Sequence, residues 1–268
     1  EDYVKIDLKK IIFDGYNDLL NQTNYTQISI FTASITIFKC LQNETNLGSN
    51  FANIMMGHSL GEYSALASSG KLSLKDCSLI LKTRGELMNN AVEPNKSGMA
   101  ALIGSDANHV QNIIDKNNIN LQIANDNSSI QVVISGELEE IKNNEKIFLD
   151  NGIKKYVTLN VSAAFHSKFM ENAQKKLSKE IDNLNFIQND IKIISNFNAE
   201  ISNDNDFIKN ALKNQMANQV KWTESIKKLE ENRETKIIEI GPNKVLSGLI
   251  KRISNNFDIK SINKISDI

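Results

Sequence analysis

Apolar side chains recur along the chain at helical and strand-like spacings, and these periods predict alternating elements. Over residues 26–44, Ile28, Phe31 and Ile35 fall on one face of a helix. Residues 51–56 form a short apolar run that predicts a buried strand. The other helices predicted in this part of the chain span residues 9–22, 62–69 and 74–91.

The pattern changes near Pro94, where shorter strand-like segments begin. Strands are predicted at residues 98–104, 121–125, 131–135 and 154–161, with helices at 106–117 and 137–151. The resulting order, βαββαβ, is the ferredoxin-like arrangement. We therefore interpret residues 96–163 as a small subdomain inserted into a larger, discontinuous domain that comprises residues 1–95 and 164–268.

Strands and helices also alternate in the rest of the chain. Strands are predicted at residues 191–195 and 236–240, and helices at 167–184, 206–218, 223–232 and 243–254. Alternation of this kind implies a parallel sheet. The expected fold class is α/β: an α/β-hydrolase-like large domain with a parallel sheet, interrupted by the ferredoxin-like subdomain.

Composition narrows the classes of function. The chain has 268 residues, of which 40% are hydrophobic and 24% charged, as in a folded protein. The net charge of −1 gives no strong field for nucleic acid, and no apolar run approaches the about 18 residues of a membrane span. Cys40 and Cys77 are isolated, which argues against a disulfide framework or a metal site and for a reducing compartment.

The segment Gly57-His58-Ser59-Leu60-Gly61 carries the strongest chemical signal. It is a G-x-S-x-G sequence between a predicted strand and a predicted helix, the setting of a nucleophile elbow. Gly57 and Gly61 supply the small residues that a tight, strained turn needs. The turn would hold the Ser59 hydroxyl at a helix start, where backbone N–H groups can stabilise an oxyanion. Acyl transfer through a serine ester is therefore the first hypothesis.

A serine hydroxyl is a weak nucleophile until a base removes its proton. The chain has three histidines, and His166 is the best candidate because it lies where a predicted strand gives way to a helix. His109 falls on a predicted helix of the small subdomain, which favours a solvated surface position. His58 adjoins Ser59, but its side chain is expected to point away from the serine and to serve packing or a structural hydrogen bond.

Arg84 is a third candidate, since it is a cation on the helix face that Leu81, Leu87 and Met88 mark as buried. Two interpretations remain open. The side chain could extend from a helix edge to water, or it could aim its guanidinium into a pocket and hold a carboxylate through paired hydrogen bonds. Spacing alone does not separate them.

Seven segments carry a family resemblance. They are residues 25–34, GHSLGEYSALASSG at 57–70, Arg84-Gly85, QVVISG at 131–136, FHS at 165–167, Gln215 with NQVKW at 218–222, and EIGPNKVL at 239–246. In this order they resemble segments of the malonyl-CoA:acyl-carrier-protein transacylase family. The match runs over nearly the whole chain, so the resemblance is specific.

The resemblance implies a ping-pong transfer that supplies type II fatty acid synthesis. Ser59 would be acylated by malonyl-CoA, with His166 as general base and then as the acid that protonates the leaving thiolate. Arg84 would pair with the malonyl carboxylate, and the Leu60 N–H would donate to the oxyanion. The main-chain carbonyl of Gln215 would orient His166, as the third member of a Ser-His-Asp triad does. The phosphopantetheine thiol of holo acyl carrier protein would then accept the malonyl group.

The resemblance also bears on selectivity, cofactors and chain extent. Leu60 and Phe165 resemble malonyl-selecting rather than methylmalonyl-selecting sites, and a bulky Phe165 would bias against one extra methyl by about 1–3 kcal/mol. No cofactor is implied beyond the CoA and phosphopantetheine that carry the substrate, and a monomer is expected. The family's opening strand and Gly-Gln-Gly loop, which provides a second oxyanion donor, has no counterpart here, so we expect a segment ahead of residue 1.

Other classes fit the sequence less well. An α/β-hydrolase esterase would need its histidine near the C-terminus, yet no histidine follows His166. A patatin-like lipase would need an Asp-Gly pair after the elbow, and Asp14-Gly15 precedes it. An acyltransferase excised from a polyketide synthase would bring flanking linkers. A carrier-docking subunit without turnover is the non-enzyme alternative, which the joint presence of Ser59, His166 and Arg84 opposes.

Acyl carrier proteins are usually acidic, so a basic rim is expected near the site. The candidates are Lys154-Lys155, Lys168 and Lys251-Arg252. Acidic side chains among residues 1–20 fit neither a signal peptide nor a transit peptide. The expected location is the cytoplasm, or a plastid if a transit peptide has been removed.

Overall fold

A computed structural model of the chain describes residues 1–14, 17–45 and 51–268. Helices and strands alternate through these residues, which gives a mixed α/β fold as expected. Within the described ranges, no helix combines the length and the apolar character needed to cross a membrane.

The α-helices are α1 (Leu8–Phe13), α2 (Asn17–Leu20), α3 (Thr23–Thr45), α4 (Gly61–Ser68), α5 (Leu74–Asn89), α6 (Ala107–Lys116), α7 (Leu138–Asn143), α8 (Glu145–Asp150), α9 (Glu171–Asp182), α10 (Asn205–Lys213), α11 (Trp222–Glu231) and α12 (Val245–Ile253). The strands are β1 (Ile54–Met55), β2 (Ser97–Ile103), β3 (Leu121–Ser128), β4 (Gln131–Glu137), β5 (Lys155–Thr158), β6 (Lys192–Ile194), β7 (Ile201–Ser202), β8 (Lys236–Ile240) and β9 (Asp258–Ile262). Single 3-10 turns cover Lys168–Met170 and Ile265–Asp267.

The strands of the larger part form two small sheets rather than one. β1 and β6 pair in parallel, and β7 adds to β6 in the antiparallel direction. β8 and β9 form a separate parallel pair. The parallel pairing predicted for this part is therefore present, but among the described residues it is divided between two sheets, and β7 adds an antiparallel edge strand to one of them.

The four strands of the small part form an antiparallel sheet in the order β3-β4-β2-β5. Alternate side chains separate its two faces. Leu102 and Ile134 point into a core closed by α6, α7 and α8, whereas Met99 and Val133 face the larger part. Two apolar faces explain why the two central strands, β2 and β4, carry the uninterrupted apolar runs MAALI and VVI.

Main-chain hydrogen bonds fix the small part to the larger one. Asp126 N donates to Val220 O at 3.0 Å, and Val220 N donates to Ala124 O at 2.9 Å. Where the chain leaves and re-enters the larger part, Ala164 N donates to Ser97 Oγ at 3.0 Å. The two crossings therefore lie side by side, two residues before His166.

The first half of the large domain packs around α3 and α5. Phe31 on α3 and Leu81 on α5 are buried in one apolar cluster together with Leu66 of α4. This packing matters for the site, because it brings polar side chains of α3 and α5 next to the turn that precedes α4.

Several predicted helices are shorter than their periodicity indicates. The helix predicted at 9–22 is present as α1 and α2, and residues 15–16 lie outside the described residues. The helix predicted at 137–151 breaks at Asn144, whose side-chain amide donates to Glu140 O at 2.9 Å. Asparagine competes for backbone groups in this way, which interrupts a helix.

Three further differences lie in the C-terminal half. The helix predicted at 167–184 begins as a 3-10 turn and continues as α9. The helix predicted at 206–218 ends at Lys213 with α10, which leaves the carbonyls of Gln215 and Asn218 free for other partners. Strands β7 and β9 were not predicted, since both are short and carry polar residues.

Replacing Phe148 with Ala should destabilise the small part. Its ring is 0% exposed in the core beneath the antiparallel sheet, and removing such a side chain costs roughly 3–5 kcal/mol in the free energy of unfolding. Leu149→Ala, at a neighbouring residue that is 40% exposed, is the matched control and should cost under about 1 kcal/mol. Urea unfolding of both variants measures the difference, and equal losses would contradict this description of the core.

Candidate active site

Ser59 lies on the turn between β1 and α4 with a positive φ of 52°. Non-glycine residues seldom adopt this left-handed conformation, and where they do the site is commonly functional. A Cβ on Gly57 would lie 2.1 Å from the carbonyl carbon of Gly61, so only glycine fits at Gly57. A Cβ on Gly61 would meet nothing within 4 Å. The requirement for small residues, predicted for both glycines, therefore holds on contact grounds for Gly57 alone.

Asn196 fixes the main chain of the turn from the neighbouring strand. Its Oδ1 accepts from Ser59 N at 2.6 Å, and its Nδ2 donates to Gly57 O at 2.8 Å. Asn196 follows β6, and Ser59 follows β1, which is parallel to β6. Both residues thus lie at the carboxyl edge of adjacent parallel strands, where α/β folds place their sites.

The ring of His166 lies against the serine hydroxyl. His166 Nε2 is 2.9 Å from Ser59 Oγ, and Nδ1 is 3.1 Å from Gln215 O and 3.2 Å from Asn218 O. A carbonyl oxygen can only accept, so Nδ1 carries the hydrogen. In the neutral ring Nε2 is then an acceptor, and the Ser59 hydroxyl donates to it. This is the arrangement that a general base requires.

Burial holds His166 in its neutral form. The pKa of the ring is lowered from 6.5 to about 3, mainly by burial and in smaller part by the positive charge of Arg84 and by His58. The main-chain carbonyls of Gln215 and Asn218 act in the opposite direction. His166 is consequently an unprotonated base throughout the neutral range.

Arg84 points inward to the serine rather than outward to water. The residue is 1% exposed. Its Nη2 donates to Ser59 Oγ and to Gln215 Oε1, both at 2.9 Å, and its Nη1 donates to Gln27 Oε1. Burial lowers the pKa of Arg84, yet a guanidinium titrates so far above neutrality that it remains a cation. Of the two interpretations left open by the sequence, the geometry fits the inward one.

The remaining predicted residues are placed as follows. Among the hydrogen bonds of the described ranges none is donated by Leu60 N, which adjoins Ser59 and lies at the N-terminus of α4. Phe165 is half-buried and packs against apolar clusters of both parts of the chain. His58 Nε2 lies 2.8 Å from Asn127 Oδ1 and away from the hydroxyl, and His109 is exposed on α6.

Four residues of the site were missed by the sequence reasoning: Gln27, Glu62, Asn196 and Asn218. Gln27 and Glu62 lie within segments that carried the family resemblance, but no periodicity indicated that they are buried. Asn196 could have been found, because it is a polar residue directly after a strand predicted to belong to a parallel sheet.

Metal ligands do not gather in this region. Over the described part of the chain, no group of three or more His, Cys, Asp or Glu side chains is arranged to hold a metal ion. Cys40 and Cys77 are free thiols, and burial raises the pKa of Cys77.

A comparison with protein-family models matches residues 2–265 to the acyl transferase domain. The chain belongs to the acyl transferase family. The malonyl CoA-acyl carrier protein transacylase of Bacillus subtilis (strain 168) is 38% identical over 251 residues, which cover 92% of this chain and 78% of that protein. The protein of the same name from Escherichia coli (strain K12) is 31% identical over 262 residues, with coverages of 97% and 84%.

Solved structures of this acyltransferase family superpose closely. The malonyl CoA-acyl carrier protein transacylase of Coxiella burnetii matches with a TM-score of 0.93 at 30% identity, over 99% of this chain and 84% of that one. A malonyl-transacylase solved in complex with its type II polyketide acyl-carrier protein matches with a TM-score of 0.93 at 31% identity, over 99% and 86% of the two chains. The resemblance stated from the sequence is thereby confirmed at the level of the family.

Gly57→Ala should prevent the turn from forming, because its Cβ would overlap the backbone of Gly61. We expect the free energy of unfolding to fall by more than about 3 kcal/mol, in the range of severe overpacking. Gly61→Ala is the control: it adds a methyl in open space at the start of α4 and should leave stability unchanged or raise it by up to about 1 kcal/mol. Thermal and urea unfolding compare the two, and the reverse order would refute the described turn.

The depressed pKa of His166 predicts a loss of stability in acid. Between pH 6.5 and about 3 the unfolded chain binds a proton at this ring and the folded chain does not. The free energy of unfolding therefore falls as pH falls through that window. Relative to His166→Asn, the wild type should lose an additional ~1.4 kcal/mol per pH unit below about pH 6.

Urea unfolding at pH 7, 6 and 5 measures both proteins. Contributions from other titrating groups cancel in the difference. Parallel stability curves would show that the folded His166 ring takes up a proton at its ordinary pKa.

Proposed function

We propose that this chain transfers the malonyl group of malonyl-CoA to the phosphopantetheine thiol of holo acyl carrier protein, through a malonyl ester on Ser59. One observation carries the proposal: Ser59 Oγ lies 2.9 Å from a neutral imidazole nitrogen of His166 and 2.9 Å from a buried guanidinium nitrogen of Arg84. A base and a fixed cation beside one hydroxyl suit an acyl donor that carries a carboxylate. The named relatives, which are malonyl CoA-acyl carrier protein transacylases, support the same substrate.

In the first half-reaction the Ser59 oxygen attacks the thioester carbonyl while its proton passes to His166 Nε2. The carbonyl oxygen becomes an oxyanion, and the N–H of Leu60 at the start of α4 is placed to donate to it. The C–S bond then breaks, and the CoA sulfur takes the proton from Nε2. The products are the malonyl ester and free CoA thiol.

The second half-reaction reverses these steps with a different thiol. His166 removes the proton from the phosphopantetheine thiol, whose sulfur attacks the ester carbonyl. The C–O bond breaks, and Ser59 recovers its proton from Nε2. Gln215 O and Asn218 O hold Nδ1–H throughout, so the same ring nitrogen accepts and returns the proton, as in serine triads.

Arg84 would bind the malonyl carboxylate, and Phe165 would narrow the pocket beside the donor's C2 carbon. The buried guanidinium and its proximity to Ser59 Oγ support the first role. The position of Phe165 directly before His166, packed against both parts of the chain, supports the second. Both malonyl and methylmalonyl donors carry the carboxylate, so the preference for malonyl would come from the narrowing by Phe165, with Leu60 beside it.

We assign a ferredoxin-like insertion at residues 96–163 within an α/β-hydrolase-like domain at 1–95 and 164–268. The antiparallel order β3-β4-β2-β5 and the bond between Ser97 and Ala164 at the two crossings support these boundaries.

The proposed partners follow from the reaction. A relative solved in complex with its acyl-carrier protein supports carrier binding. Of the basic candidates, Lys168 lies closest in sequence to His166, with Nζ 2.9 Å from Asn120 Oδ1. Lys155 is the first residue of β5 and follows Lys154, and Lys251-Arg252 lie on α12. We further propose a monomer in the cytoplasm, or in a plastid, that needs no cofactor beyond the CoA and phosphopantetheine of its substrates.

Brief incubation with malonyl-CoA should add one malonyl group, about 86 Da, to the wild type and nothing to Ser59→Ala. Holo acyl carrier protein should remove the adduct, and apo carrier protein should not. Intact-mass measurement of both proteins follows each step. A malonyl adduct that forms on Ser59→Ala as well would exclude Ser59 as the acylated residue. An adduct on the wild type that holo carrier protein does not remove would exclude the second transfer.

A further inference from the structure

Glu62 is a buried acid that the reaction scheme above does not use. It lies in the first turn of α4, three residues after Ser59, and is 0% exposed. An acid in the first turn of a helix commonly stabilises that helix, either through its dipole or by accepting hydrogen bonds from its free N–H groups. Here the carboxylate reaches away from its own helix: Oε2 accepts from Gln215 Nε2 at 2.7 Å and from Asn196 N at 3.1 Å.

The Gln215 side chain is fixed at every polar atom. Its Nε2 donates to Glu62 Oε2 and to Ser59 O, the latter at 2.9 Å, and its Oε1 accepts from Arg84 Nη2. A guanidinium can only donate, so the amide oxygen must face Arg84 and the amide nitrogen must find acceptors. Rotating the amide by half a turn would place two donors against each other. Glu62 therefore sets, together with Ser59 O and Arg84, which way this amide faces.

The orientation of Gln215 in turn sets the position of Arg84. The guanidinium rests on two amide oxygens, from Gln27 and Gln215, and on the ring of Tyr63, whose centroid is 5.5 Å away. Loss of one amide oxygen would leave Nη2 held by Ser59 Oγ alone, which is the atom that becomes acylated. Arg84 Nη2 would then have no fixed acceptor when the guanidinium binds the carboxylate of the acyl donor.

We propose that Glu62 is a positioning residue which, through the side-chain amide of Gln215, fixes Arg84 for the carboxylate of the acyl donor. The inference rests on the proposed function. Burial raises the pKa of Glu62 to about 7. The role survives either ionisation state, because a proton on Oε1 leaves Oε2 an acceptor.

Three variants separate this role from simple support of the fold. Glu62→Leu removes the acceptor, and Glu62→Gln keeps an oxygen acceptor of the same reach. Gln215→Met breaks the same link from the other side and retains the main-chain carbonyl that binds His166 Nδ1. The rate constant of Ser59 acylation is measured with malonyl-CoA and with p-nitrophenyl acetate, an activated ester that carries no carboxylate.

We expect Glu62→Leu and Gln215→Met each to slow acylation by malonyl-CoA on the order of 100-fold, the cost of a misplaced binding group. Acylation by p-nitrophenyl acetate should fall by a factor at least about 10-fold smaller in each variant, because this donor has no carboxylate for Arg84 to hold. Glu62→Gln should stay within about 5-fold of wild type for both donors. The double variant Glu62→Leu/Gln215→Met should be no slower than either single variant, since both break one chain of contacts.

Equal losses with both donors, additive losses in the double variant, or a Glu62→Gln protein as slow as Glu62→Leu would each overturn the assignment and leave Glu62 as support for the turn. If Glu62→Leu does not fold, the comparison of Gln215→Met with Glu62→Gln decides. A wild-type protein that p-nitrophenyl acetate acylates and malonyl-CoA does not would instead refute the proposed function itself, and this inference with it.

Discussion

The burial of the Arg84 cation is the constraint around which this site is organised. A guanidinium removed from water is costly unless its N–H groups find acceptors. The acceptors come from segments far apart in the chain: Gln27 on α3, Ser59 on the turn before α4, and Gln215 beyond α10. These segments meet at Arg84 on α5. The packing that satisfies the buried guanidinium therefore also brings the residues of the candidate site together.

The cation and the base of this site are electrostatically opposed, and this opposition is part of its chemistry. Arg84 disfavours the protonated form of His166, yet the proposed reaction requires His166 to hold a proton in the middle of each half-reaction. A donor carboxylate on Arg84 would offset the positive charge just when the ring takes up that proton. A substrate with such a carboxylate thus contributes to its own activation, whereas an uncharged acyl group does not.

Local sequence signals account for much of this structure, and long-range contacts account for the remainder. The turn at Ser59, the succession of strands and helices along residues 96–163 and the choice of His166 among three histidines follow from short motifs whose physical requirements are local. The burial of Glu62, the partners of Asn196 and the division of the parallel strands into two sheets depend on which elements meet in space. Helix ends were misplaced where a side chain such as Asn144 binds the backbone, because apolar periodicity does not register such a bond.

The bond between Ser97 and Ala164 has a consequence for exchanging parts between relatives. It joins residues 97 and 164, the second of which lies two residues before His166. Phe165, between Ala164 and His166, packs against the cluster that contains Met99 and Val133 of the antiparallel sheet. A chimaera that exchanges residues 97–164 would therefore also change the side chains that pack against Phe165, the residue next to His166. An exchange that preserves reactivity must therefore transfer residues 159–167 together with the antiparallel sheet against which they pack.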